Sequence, residues 1–470
     1  MTKITKQSAR YLAVATITLA VASVANSQTP LPDAPAPSPR LSAQMQAPAP
    51  LAGAPPANSG QAPPARIPAA QTTVNGITIE QAIELAKRNN PTLQANQTLI
   101  LQNKAQEVTA NLRPNPLVSW DTQFLPLFAP SLWSDSNYWE TQAQYDIGIG
   151  YLFERGRKRQ HRLDAAKTAT AVTESQVADA ERTTTASAAQ QFVAALLASS
   201  NLEFAESVLE SYQHTVGISE DRYKAGAISK SDLLKIQLQL LQFQTDVSNA
   251  QLARAQALAS LRQLIGFNSV PPDYAVNGNL AYDPLPLRQE DLQARALAAR
   301  PDLQAAQREV TAANSQIGLA KANGKVDLNV SFDYTRLNQS NLGAFYFNIP
   351  LPVFNKNQGE IARNQYALTQ SQFQEKAAEQ AVMTDVKNAY EAVRNGERVV
   401  QLYNQGALQQ AQQSLEITKF SYEHGAASLL DFLDAERSYR STEFSYRQAL
   451  ATYMSALEQL RQAVGSRDLH

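Results

Sequence analysis

The stretch YKAGAISKSDLL, Tyr223–Leu234, returns 199 residues later as YEHGAASLLDFL, Tyr422–Leu433. In each copy a glycine, Gly226 or Gly425, stands between two helical patterns. A tight reversal between helices favours positive φ, which glycine adopts freely. Two further pairs keep the same order. Leu152-Phe153-Glu154-Arg155-Gly156 is matched 201 residues on by Val353-Phe354-Asn355-Lys356-Asn357. Asn89-Asn90-Pro91-Thr92-Leu93 is matched 210 residues on by Ala299-Arg300-Pro301-Asp302-Leu303. Matches in one order at nearly constant offset read as a duplicated architecture. The halves are 77–266 and 288–470, joined by a linker at 267–287.

Each half carries two strand patterns. Trp139, Thr141, Ala143, Tyr145, Ile147, Ile149, Tyr151 and Phe153 alternate with Glu140, Gln142, Gln144, Asp146, Gly148 and Gly150. A period of two sustained this long predicts a strand with one apolar face. Val118–Phe124, Val326–Thr335 and Phe345–Val353 give three more. Each is close to the ~9–11 residues that cross a bilayer at a tilt. Trp120, Trp133 and Trp139 all fall in the first hairpin, as an interfacial aromatic girdle requires. The other reading of these strands is a soluble sandwich whose polar face meets water.

Helices of unusual length lie between the strand pairs. Lys158 to about Arg222 contains no proline and reads as one helix; at ~1.5 Å per residue it approaches ~100 Å. Gly359 to about Tyr422 is similar, broken only by Gly396 and Gly406. Two shorter helices accompany each long one: about 79–112 with 229–265, and about 288–322 with 428–464. Leu233, Ile236, Leu240, Phe243, Val247 and Ala250 step by three and four, as do Tyr446, Leu450, Tyr453, Leu457, Leu460 and Val464. Such seams supercoil left-handedly. They establish packing and say nothing of activity.

Ahead of the repeat, Lys3, Lys6 and Arg10 precede an apolar run from Tyr11 to Val24, and Ser23-Val24-Ala25 offers a cleavage site. Residues 1–25 read as a secretory signal. Residues 26–76 hold 12 of the chain's 24 prolines and few large apolar residues, a composition expected to remain a disordered lead. No later run is long and apolar enough to suggest a membrane-spanning helix, so any crossing falls to the strands.

Composition narrows the chemistry. The 470 residues carry a net charge of −1 with 18% charged residues, so there is no basic face for nucleic acid. Cysteine is absent, which removes disulfides and thiol catalysis. His161, His214, His424 and His470 lie far apart, without metal-site spacing. No catalytic constellation, phosphate loop, metal site or cofactor site emerges. Four membrane strands leave two open edges, which lipid does not tolerate. The chain must share a barrel: two copies give eight strands and three give twelve. Four helical columns per chain then make a ring of eight, enclosing little space, or of twelve, surrounding an aqueous channel.

From about 78 to 465 the chain resembles the TolC-type outer-membrane factor family of bacterial efflux pumps and type I secretion systems. The residues that carry the resemblance are the Asn-Pro-x-Leu and Arg-Pro-Asp-Leu helices and the two Tyr-x-x-Gly…Asp-x-Leu turns. Phe153-Glu154-Arg155-Gly156-Arg157-Lys158-Arg159 and Asn357-Gln358-Gly359-Glu360-Ile361 are similar to its cobalt–zinc–cadmium efflux branch. The resemblance implies a mainly α fold with a membrane β-barrel portion. It implies a homotrimer with a 12-stranded barrel, four strands per protomer, above a periplasmic tunnel of coiled-coil helices. The implied partners are a periplasmic adaptor, an inner-membrane transporter and outer-membrane lipid. The implied role is a passive conduit in the outer membrane, for heavy-metal cations, drugs or secreted protein. Tyr223, Gly226, Ser229, Gly425 and Ser428 match the adaptor-docking tips. Asp431, Asp434, Asp232 and Tyr422 match the periplasmic gate. Ala427 stands where some members carry a lock arginine. Two further classes stay open: a barrel-anchored coiled-coil adhesin, disfavoured by short outer turns near 127–137 and 336–342, and an outer-membrane hydrolase, disfavoured by the missing catalytic set.

Overall fold

A computed structural model describes residues 76–286 and 288–469. The signal and the proline-rich lead lie outside the described residues. The element order is duplicated, as the repeat requires. The first half contains α1 (Ile79–Asn89), α2 (Pro91–Ala110), β1 (Leu117–Gln123), the short α3 (Ser136–Thr141), β2 (Gln144–Phe153), α4 (Lys158–Lys224) and α5 (Lys230–Ile265). The second contains α6 (Gln289–Ala299), α7 (Pro301–Asn323), β3 (Leu328–Leu337), β4 (Ser340–Asn348), α8 (Gln358–Leu402), α9 (Leu408–Glu423) and α10 (Leu429–Val464).

The sequence predicts single helices over 79–112 and 288–322, and each is instead a pair. The residue before a proline is driven out of the helical region by the proline ring. Asn90 and Arg300 accordingly sit at ψ 117° and 123°, splitting each helix in two. The bends serve docking. Asn90 Nδ2 donates to Leu264 O at 3.0 Å at the end of α5, and Arg300 Nη1 donates to Ala463 O at 3.3 Å at the end of α10. The buried Arg300 also holds Asp302 and Asp385.

The second long helix is interrupted at one of the two expected glycines. Gly396 is fully helical, and a Cβ there would come within 3.1 Å of Tyr453 Cα, so it serves close helix packing. Gly406, at φ 120°, lies in a π-turn over Tyr403–Ala407 that separates α8 from α9. The first long helix, α4, runs 67 residues unbroken, about 100 Å at 1.5 Å per residue.

The four strands form one antiparallel sheet in the order β1-β2-β3-β4. Trp120 faces Ile147 across β1 and β2, Ile149 faces Phe332, and Phe332 faces Phe345. Period two then puts Val118, Trp120, Ile147, Ile149, Phe332, Phe345 and Phe347 on one face, and all are exposed. Ser119, Asp121, Asp146, Gly148, Ser331, Asp333 and Thr335 share the other. Among the described residues β1 and β4 have one strand neighbour each, so both edges are open.

Two strands, β2 and β4, differ from expectation by more than two residues. Trp139 and Thr141 belong to α3 and not to β2; Asp135 caps this helix by accepting from Asn137 N at 3.0 Å. Trp139 Nε1 donates to Trp133 O at 3.1 Å and the two indoles lie 5.5 Å apart, so they cluster in the connection between β1 and β2 while Trp120 stands on β1. The fourth strand covers Ser340–Asn348 and not 345–353. Asn338 and Gln339, at φ 49° and 60°, close a two-residue hairpin that starts β4 early. Pro350 and Pro352, which cannot donate to a ladder, follow its end.

Among the described residues three apolar cores run along the helices. Ala82, Ala86, Ala188, Phe192, Leu196, Leu261 and Ile265 join α1, α4 and α5. Leu292, Ala296, Val386, Val393, Tyr453 and Leu460 join α6, α8 and α10 in the same manner. By composition α4 is apolar enough to cross a bilayer. Within it, Ala188, Phe192, Ala195 and Leu196 pack against α1 and α5. The third core, Tyr212, Val216, Ile236, Phe243, Tyr422, Leu429 and Phe432, lies beside the two repeated turns and joins the halves.

Candidate functional site: the paired tip turns

The two turns are built alike. Gly226 and Gly425 take φ 74° and 78°, and their N–H groups donate to Tyr223 O and Tyr422 O at 2.9 and 3.0 Å. No atom lies within 4 Å of a Cβ added at Gly226, so that glycine is required by its backbone angle and not by crowding. Ser229 and Ser428 then cap α5 and α10, accepting from Asp232 N at 3.0 Å and Asp431 N at 3.2 Å. Asp431 completes a capping box by accepting from Ser428 N at 3.2 Å. Asp232 accepts from Ser229 Oγ at 2.8 Å and lies 3.5 Å from Lys235 Nζ.

The side chains diverge where the backbones agree. Tyr223 is 39% exposed, whereas Tyr422 is 4% exposed. Tyr422 stacks on Phe432 at 5.3 Å, in the core between the hairpins. The Arg222 guanidinium lies 5.2 Å from the Tyr422 ring centre and donates to Tyr422 O at 2.7 Å. Arg222 therefore supplies a cation at the tip where Ala427 does not. Arg222 directly precedes the repeated tyrosine, but no motif distinguishes it in the sequence, and only its contact across 200 residues marks it out.

Between the turns lies a cleft of about 550 Å³. Ser229, Asp232, Tyr422, Gly425 and Ser428 line it together with Arg222. Tyr223, Gly226, Asp431 and Asp434 are not among its lining residues. Asp431 and Asp434 are exposed near the start of α10, with Asp434 4.0 Å from Arg437. Trp120 lies on β1, and Trp133 and Trp139 lie in the connection between β1 and β2, so none of the three belongs to the turns. Among the described residues no group of three or more His, Asp or Glu could hold a metal ion.

Long helices that carry an open, two-faced sheet and end in duplicated turns define the class. The chain belongs to the outer membrane efflux protein family, whose profile matches twice, over residues 82–267 and 292–466. It is similar to the cation efflux system protein CusC of Escherichia coli K12, 28% identical over 271 residues, covering 54% of this chain and 58% of that one. The chain thus spans under two thirds of the length of that relative. It is also similar to the cobalt-zinc-cadmium resistance protein CzcC of Cupriavidus metallidurans, 24% identical over 365 residues, covering 77% and 84%. The crystal structure of the Campylobacter jejuni CmeC outer membrane channel shares the fold, with a TM-score of 0.69 at 17% identity over 83% of this chain and 86% of that one.

Proposed function

We propose that the chain is the outer-membrane conduit of a tripartite efflux pump, a homotrimer that passes heavy-metal cations outward without chemistry of its own. The sheet carries this reading. One face is exposed and apolar, the other is polar, and both edges are open. Backbone groups at open edges cannot remain unpaired in lipid, so strands of further copies must close the sheet. Three copies supply twelve strands and a polar lumen. The helices beneath continue that lumen into the periplasm, and the tips meet an adaptor and an inner-membrane transporter. The names of CusC and CzcC support cations as the cargo.

The test has two parts. Planar bilayers with the purified protein should show stable single-channel conductance; its absence would favour an adhesin or a hydrolase. A strain lacking the gene should lose tolerance to zinc, cobalt, cadmium or copper. Sensitivity to organic drugs alone would assign the channel to multidrug export.

The gate carries a second prediction. Asp431 and Asp434 are three residues apart and share one face of α10. Around a threefold axis their six carboxylates attract cations. Asp431→Asn with Asp434→Asn is expected to lower cation selectivity and block by trivalent cations, with trimer yield unchanged. Unaltered selectivity in bilayer recordings would leave Asp431 only its capping role.

A further inference from the structure

A buried carboxylate lies in the core that joins the two hairpins. Glu436, on α10, is 7% exposed. It lines a cavity of about 220 Å³ walled by Phe204 and Tyr212 of α4, Leu415 and Lys419 of α9, and Phe432 and Tyr439 of α10. Its own chain buries it, so further subunits cannot expose it. Arg440 Nε lies 3.4 Å from Glu436 Oε1, an ionic contact without an aligned hydrogen bond, and both atoms lack any hydrogen-bond partner. Arg440 is shared with Asp246 of α5, which accepts from its Nη1 at 3.1 Å.

The charged and titratable neighbours come from all four helices. From α4 comes Tyr212, whose hydroxyl is buried without a partner. From α9 come Lys419, which donates to Ser211 Oγ at 3.4 Å, and Tyr422. From α5 comes Asp246, and from α10 itself Arg437, Tyr439 and Arg440. Above the cavity, the Tyr403–Ala407 turn with Gly406 at φ 120° interrupts the column that carries α9. The unbroken α4 has no such joint. One wall of the cavity is therefore continuous helix and another hangs from a non-helical joint.

We propose that Glu436 is a proton-operated pin: its neutral carboxyl keeps the α9–α10 hairpin packed on α4, and ionisation loosens the hairpin about the Tyr403–Ala407 turn. The inference rests on the conduit reading, in which the tip opens and closes. Burial raises the Glu436 pKa from 4.5 to about 7; Arg440 and Arg437 oppose the shift and Asp246 adds to it. The sign follows from linkage. The packed tip binds the proton more tightly than a hydrated, loosened one. Packing is therefore favoured fully below pH 4.5 and loses that support as pH rises through about 7. Between pH 5.5 and 8.5 the packed-to-loosened ratio should fall on the order of 30-fold.

The chain has no cysteine, so labels can be placed without background. Spin labels on Ala225→Cys and His424→Cys, both at exposed tip positions, report the distance between the turns in the full-length protein. That distance is expected to lengthen from pH 5.5 to 8.5. Glu436→Gln should hold it short at both, and Glu436→Asp should restore a titration with a displaced midpoint. An unchanged distance in the parent protein would overturn the proposal, as would a full pH response in Glu436→Gln. A response lost in Asp431→Asn/Asp434→Asn but kept in Glu436→Gln would assign proton sensing to the exposed carboxylates instead. The distance is read without current, so a non-conducting protein would count against the conduit and leave the pin tested.

Discussion

Ile149→Lys is expected to abolish assembly in the outer membrane, while Ser331→Lys leaves it intact. Ile149 stands near the middle of β2, exposed on the apolar face, directly opposite Phe332. Ser331 is paired with Gly150, one position along, on the polar face. A lysine on the lipid face of a barrel at mid-depth costs ~2–4 kcal/mol, and one near the lumen much less. Three copies would multiply the lipid-face cost to roughly 6–12 kcal/mol per barrel, comparable with the whole stability of a folded domain. Heat-modifiable trimer bands and surface labelling of intact cells would measure this. Assembly of Ile149→Lys at parent yield would reverse the faces or remove the sheet from the membrane.

Arg222→Ala is expected to loosen the tip and raise the resting conductance. The side chain makes a charge-assisted hydrogen bond to Tyr422 O and a cation–π contact with the same ring. Such a bond is worth ~1.5–3 kcal/mol and an exposed cation–π contact ~0.5–1 kcal/mol. The site is half-buried, so the low end applies, about 2 kcal/mol in total. That is roughly a 30-fold shift toward the open tip at each protomer. Arg222→Lys keeps the charge but loses the planar fork, and should fall between the two. Single-channel recordings on matched trimers decide it: a closed-state current no greater than that of the parent would show that the contact only packs the turn.

The duplicated turns were legible because they depend on local chemistry. Tyrosine, glycine, serine and aspartate at fixed spacing specify a left-handed cap followed by an N-cap, and the chain does this twice. The two sheet faces were legible for the same reason, since alternation at period two needs no distant partner. The start of β4 was not. Asn338 and Gln339 adopt a positive φ that the Phe345–Val353 alternation does not reveal, so the alternation points to a strand too far along. Trp139 continued the alternating pattern of β2, yet the Asp135 cap and the Trp133 indole draw it into a helix. Alternation records which residues could share a face; local hydrogen bonds decide where pairing stops.

By itself, the sequence determined the recurring motifs, the long helices, the four strands, and the two unpaired edges that four strands leave. All of these follow from spacing, length and strand count. The tertiary structure alone decided how two nearly identical turns came to differ. Tyr223 faces solvent and Tyr422 is buried, because α10 brings Phe432 against the second ring and α4 brings Arg222 across to its carbonyl. It also decided that Glu436, one of many glutamates spaced along polar helices, would lie in the core between the hairpins. A side chain's burial and charge partners depend on which helices meet, and residues some 200 positions apart leave no local trace of that meeting.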